Sequence, residues 1–336
     1  MKKTKKLLIS LTILLFCGSV LLITANKSDS RLPNFEFPVK CHLNQDCWVS
    51  EYPDVDPSPD WHDYTGGKRT VNSHLGTDII IQNLDKMRAG IPVLATADGI
   101  VTAIRDGVND INVKKIGAST VDKIGCGNAA VIDIGNGWTT VYCHMRKGSV
   151  TVKNGERVSA GQRLGYVGMS GLAETPHLHF QVQHFKQTVD PFTGNSLSGN
   201  EKINHSLWTN DALSRMKYSS AFIYNIDVTD KVPDIIDLQS GDITSVSITM
   251  DIPAVFLWAD IFGLDKDDVI QFSIKDSNGK TLVDKRMIID KSNVRRFFYL
   301  RHNSQDLKPG LYHASVKLLK KDSNYSKNIS FKVLDS

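Results

Sequence analysis

After its first 25 residues the chain has no long apolar run and no excess of charge, and it carries only one short helical pattern. A single stretch, Leu7 to Ala25, approaches the roughly 20 residues that cross a bilayer, so a polytopic membrane protein is excluded. The charge looks mildly basic at first, with 40 Lys and Arg against 36 Asp and Glu. Four of the 40, Lys2, Lys3, Lys5 and Lys6, precede the apolar run, so from Asn26 onward basic and acidic residues balance at 36 each. That balance removes the case for nucleic acid as a partner, and for broad attraction to anionic polymers. What remains is an ordinary globular composition, 41% hydrophobic over 336 residues, long enough for about two domains.

Basic residues followed by an apolar run with no acid read as an export signal over residues 1–25. Its apolar core of 19 residues exceeds the usual cleaved core of about 7–15. Ala25 fits the position before a cleavage site, whereas Ile23 is larger than the small residue preferred two places earlier. A cleaved signal and a retained anchor both stay open. Either fate puts the rest of the chain outside the cytoplasm, in the periplasm or cell envelope, with membrane contact only through this segment. Cys17 lies inside the apolar run and reads as filler.

Cysteine is scarce. The four beyond the signal, Cys41, Cys47, Cys126 and Cys143, form an even set, as expected of an exported protein with disulfides. Cys41 and Cys47 bound a small loop, and Cys126 and Cys143 flank a hairpin pattern, AAVIDI, the turn GNG and WTTVYC. These favour 41–47 with 126–143 among the three possible pairings. A four-cysteine zinc site would need ligands in close pairs, and only one pair is even loosely spaced that way.

Residues 26–60 hold five prolines, show no sustained periodicity and read as an extended lead-in. From 61 to 192 short β-rich runs are broken by glycine: TDIIIQN, IPVLATADGIVTAI, NAAVIDI, WTTVYCHM, RLGYVGMSG and HLHFQVQHF. They predict an all-β domain, interrupted by a long surface loop from Asp106 to Gly125. Residues 193–219 are polar, with one helix pattern near Trp208 to Met216, and mark a linker. From 220 to 336 the runs AFIYNIDV, SVSITMDI, VIQFSIKD, TLVDKRMII, RRFFYL, LYHASVKLL and NISFKVL suggest a β-sandwich of immunoglobulin-like type with roughly seven strands.

Histidines cluster in the first of these domains. His74-Leu-Gly-Thr-Asp78 opens an apolar strand, His144 ends the return strand of the hairpin, and His177-Leu-His179 lies on a strand where alternation turns both imidazoles to one face. Two imidazoles and one carboxylate make the donor set of a catalytic zinc site with its fourth position open, and additional imidazoles can move a proton. Taken singly each group is weak: a lone His-x-x-x-Asp is a common surface pair, and His144 alone says nothing. Their joint occurrence in one glycine-punctuated domain carries the reading. His42, His62, His184, His205, His302 and His313 lack such context and read as ordinary residues.

HLGTD, YCHM, the glycine-spaced VKNGERVSAGQRLGYVGMSG and PHLHFQV ending in VDPF together resemble the lysostaphin-type (LytM-like) zinc metallopeptidases, which cut peptidoglycan peptides. The resemblance covers about residues 70–192. It implies a barrel-sandwich hybrid fold, one Zn2+ held by His74, Asp78 and His179, and His144 and His177 as catalytic base and transition-state stabiliser. Met145 replaces the usual Leu of Tyr-x-His-Leu, and the 106–125 loop is longer than a minimal catalytic domain requires. The implied function is an exported metalloendopeptidase acting on peptide cross-links of the wall. Two other readings are weighed against it. A non-catalytic regulator that binds other wall hydrolases would not need all five site residues intact. A lipoyl- or biotin-type carrier, suggested by the glycine-rich Val152–Gly171 run, would need a lysine in a tight turn and has no use for His-x-His. The second domain carries no clustered chemistry and is expected to position the enzyme on its substrate or on a protein partner.

Overall fold

The computed structural model describes residues 32–240 and 248–335; residues 1–25, read as an export signal, and the first part of the SVSITMDI run lie outside them. The protein is nearly all β, as expected. Among the described residues, no helix is long and apolar enough to cross a membrane.

The first half contains β1 (Cys47–Glu51), β2 (Thr77–Ile81), α1 (Leu84–Ala89), β3 (Pro92–Leu94), β4 (Gly99–Arg105), α2 (Val113–Ile116), β5 (Asn128–Gly135), β6 (Trp138–Met145), β7 (Arg157–Val158), β8 (Arg163–Tyr166), β9 (His177–His184), β10 (Gln187–Val189) and α3 (Asn210–Arg215). One sheet runs β1-β2-β9-β6-β5-β4-β7, with β10 added beside β9, and β3 pairs with β8 separately. Alternation decides its two faces. Ile79 and Ile81 of β2, and Leu178, Phe180 and Val182 of β9, point into the first core. Asp78, Ile80, His177 and His179 take the other face, where register sets Asp78 opposite His179 and Ile80 opposite His177.

Two segments are more structured than their sequence suggests. Phe35, Phe37 and Val39, in the stretch read as a lead-in, are buried in the first core, and β1 is an edge strand of the main sheet. The 106–125 insertion is not a plain surface loop. It holds α2 and two single turns of 3₁₀ helix, and it buries Val113 and Val121.

The second half contains β11 (Phe222–Thr229), α4 (Ile235–Ser240), β12 (Ile248–Thr249), β13 (Ala254–Leu264), β14 (Val269–Asp276), β15 (Thr281–Ile288), β16 (Asn293–Asn303), β17 (Gly310–Leu319) and β18 (Asn324–Leu334). Sheet β11-β13-β16 faces sheet β12-β18-β17-β14-β15 across one core. Strand β13, AVFLWADIFGL, was not among the expected strands. All eleven of its residues are buried, so it has no polar face to generate the alternation by which half-exposed strands are recognised. Its inner residues Val255, Leu257, Ala259 and Ile261 fill the sandwich core, while Phe262 packs outward with Phe222 and Tyr224 against Trp48 and Ile80 of the first half.

Candidate metal centre

Three donor atoms converge on the outer face of the first sheet. His74 Nε2 lies 3.3 Å from Asp78 Oδ1 and 3.2 Å from His179 Nδ1, and His179 Nδ1 lies 2.8 Å from Asp78 Oδ1. Metal–ligand distances of about 2.0–2.1 Å in a tetrahedron require donors about 3.3 Å apart, so this triangle has the size and chemistry of a three-ligand divalent site. Close approach at this point needs the glycine of HLGTD: a Cβ on Gly76 would come within 2.6 Å of His179 Nε2.

Main-chain carbonyls set the imidazole tautomers. A carbonyl only accepts, so each ring nitrogen facing one carries the proton. His74 Nδ1 donates to Tyr52 O, His144 Nδ1 to Ser170 O and His177 Nδ1 to Thr175 O, each at 2.8 Å. In all three Nε2 is left on the opposite edge of the ring, where it can bind a proton or a metal, and His177 Nε2 stands 3.7 Å from Asp78 Oδ2. The rings of His144 and His177 are 4.6 Å apart. His144 lies within a register shift between Tyr142 and Met145 of β6 and adopts φ +60°, an unusual value for a residue with a side chain. The Cys126–Cys143 disulfide and a bond from His144 N to Cys126 O at 2.8 Å hold that turn. The second expected disulfide, Cys41–Cys47, is also formed, at the start of β1.

Electrostatics favour a cation at the triangle. Burial opposes the charge on Asp78, yet His74, His177 and His179 hold its carboxyl well below the usual range. Burial also opposes a proton on His74, but the Asp78 carboxylate and then Glu51 outweigh it and raise this imidazole to about 9. His144 is pushed well below its ordinary value by burial, then by His177 and His179, and so stays neutral. Burial likewise lowers His179.

Sequence reasoning missed Glu51. A bulge at Ser50 shifts the β1 register so that Glu51, and not Ser50, stands directly opposite Asp78; bulges re-aim side chains in this way. Burial and then the Asp78 charge push its carboxyl up. No spacing motif ties it to the histidines, and only the strand pairing reveals it. The other six histidines stay outside the centre; His184, for one, pairs with Glu201 at 2.8 Å.

Residues 72–191 match Peptidase family M23. This segment is an M23 peptidase domain. Among curated relatives, this chain is similar to the peptidoglycan DD-endopeptidase ShyA of Vibrio cholerae serotype O1, 33% identical over 34% of this chain and 21% of the relative. ShyC of the same organism is 27% identical over 48% of this chain and 33% of the relative. The chain thus spans about a fifth to a third of the length of these relatives. A solved structure of a zinc-containing peptidase from Vibrio cholerae aligns over 48% of this chain and 39% of that chain, at 28% identity and a TM-score of 0.32. The M23 segment begins two residues before His74 and ends after the strand bearing His177 and His179.

Proposed function

We propose that this protein is an exported zinc endopeptidase that hydrolyses peptide cross-links of bacterial peptidoglycan. In this reading residues 1–25 are the export signal, 61–192 the peptidase domain, 193–219 a linker and 220–336 an immunoglobulin-like accessory domain. The observation that carries it is the triangle of His74 Nε2, Asp78 Oδ1 and His179 Nδ1 with two further imidazoles beside it. These three residues would hold one zinc ion. When bound, zinc lowers the pKa of water and polarises a peptide carbonyl.

The chain's own groups do the rest. Tyr52 O accepts from His74 Nδ1 and so fixes the ring with Nε2 turned toward the metal position, since a ligating histidine is oriented by the hydrogen bond its other nitrogen makes. His144 and His177 can each accept a proton at Nε2, since Nδ1 is tied to a carbonyl. Once protonated, either becomes a donor toward a carbonyl oxygen gaining negative charge. Burial keeps His144 neutral, so its Nε2 is not already occupied by a proton. A non-catalytic regulator would have no need of all five residues, and none of them is replaced. Metal analysis tests the reading: the purified protein carries one zinc per chain, and His179→Ala loses both the zinc and the cleavage of peptidoglycan. Undiminished cleavage by His179→Ala overturns it.

A further inference from the structure

The outer face of the first sheet is shared between the metal centre and the second domain. Ile80, opposite His177 and two residues from Asp78, packs with Trp48 against Phe222, Tyr224 and Phe262. Beside this apolar seam lies a cavity of ≈ 980 Å³, lined on one side by the five site residues and on the other by Asp260, Phe262 and the segment from Lys291 to Phe297. The long first-domain loop reaches the same region, with Lys115 Nζ 3.7 Å from Asp237 and the Asn112 and Gln239 amides 3.2 Å apart. The second domain is therefore part of the cleft that holds the metal centre.

Four of the eight charged side chains lining this cleft pair with one another. Lys114 pairs with Glu174 at 2.9 Å, and the Arg295 fork pairs with Asp260 at 2.9 and 2.5 Å. Asp78 belongs to the metal centre. The remainder is of opposite sign on opposite walls. Glu51 is turned into the cleft by its bulge, and among the described residues it has no hydrogen-bonded or ion-paired partner for its carboxylate. Arg69, the nearest cation behind it, is spent on the carbonyls of Val49, Ser50 and Ser219. Across the cleft stand Lys291, exposed at the turn before β16, and Arg296, which keeps one contact to exposed Asp290. A carboxylate beside a metal-neutralised one, in a half-desolvated cleft, is best satisfied by a ligand cation.

We infer that the second domain forms one wall of the substrate groove, and that the groove takes a peptide segment bearing both a free ammonium, received by Glu51, and a free carboxylate, received by Lys291. This rests on the endopeptidase reading for its substrate class. The test uses the zinc-loaded full chain and a dimeric muropeptide from diaminopimelate-containing peptidoglycan in three forms: unmodified, acetylated at its free amines, and amidated at its free carboxyls. Binding by calorimetry and steady-state kinetics are measured together. Either blocking group weakens binding and raises KM about tenfold with little change in kcat. Glu51→Gln is indifferent to acetylation but still sensitive to amidation, and Lys291→Met shows the reverse, both with wild-type zinc content. Equal treatment of all three forms by the wild type, or variants that keep both sensitivities, overturns the inference. If the wild type binds with this pattern yet cuts nothing, the endopeptidase reading fails and the wall stands; if it cuts all three forms alike, the endopeptidase reading stands and the wall fails.

Discussion

His74 and His179 enter the triangle through different nitrogens, Nε2 and Nδ1, because only His74 has its Nδ1 committed to a carbonyl. That difference makes the residues separable by experiment. Replacing His177 or His144 by Ala leaves the three donors intact, so zinc content stays at one per chain while kcat falls about 10²–10⁴-fold. Parallel metal analysis and single-turnover kinetics check this, and loss of zinc from either variant contradicts the assignment. Gly76→Ala should act in the opposite sense. Its Cβ would press on the His179 ring, so metal affinity falls first, seen as release of zinc at chelator concentrations the wild type withstands.

At the scale of elements, the turn that carries His144 depends on its neighbours. A histidine at φ +60° costs on the order of 1 kcal/mol or more, and the bridge from Cys126 to Cys143 closes the hairpin that holds it. Cys126→Ser should lower stability by about 3 kcal/mol and reduce kcat in the protein that remains folded; full activity in correctly folded Cys126→Ser contradicts this. Arg69 has a similar office for β1. It is fully buried, and its guanidinium donates to carbonyls of Val49 and Ser50 just ahead of Tyr52, whose own carbonyl orients His74. The site strands were legible because period-two alternation fixes which residues share a face: His177 and His179 could be assigned together from spacing alone, and β2 and β9 pair as that requires. Strand β1 was not legible. Five residues between prolines and a small disulfide loop carry no periodic signal, and their place in the sheet comes from long-range pairing with β2. Glu51 was hidden for the same reason, since a bulge inverts the face that simple alternation would assign.

For the whole molecule, the sequence pattern separated two β-rich halves but held no hint that they share a wall. The information lies in β13, whose outer aromatic face looks like generic core until Trp48 and Ile80 are found against it. Trp48 stacks on Phe222 at 5.6 Å and lies under Lys327 Nζ at 5.3 Å, while Tyr224 Oη donates to Ile81 O at 2.6 Å. Trp48→Ala should destabilise the protein by about 3–5 kcal/mol and impair cleavage as well, because the seam adjoins the cleft. A melting curve unchanged from wild type contradicts that seam. The central claim is the metal-dependent cut itself. Purified peptidoglycan is digested with the protein as isolated, with the protein stripped by chelator, and with the stripped protein resupplied with zinc, and the products are identified by mass. Peptide-bond cleavage products that vanish on chelation and return with zinc are the predicted result; products that persist unchanged in the stripped protein would contradict the account.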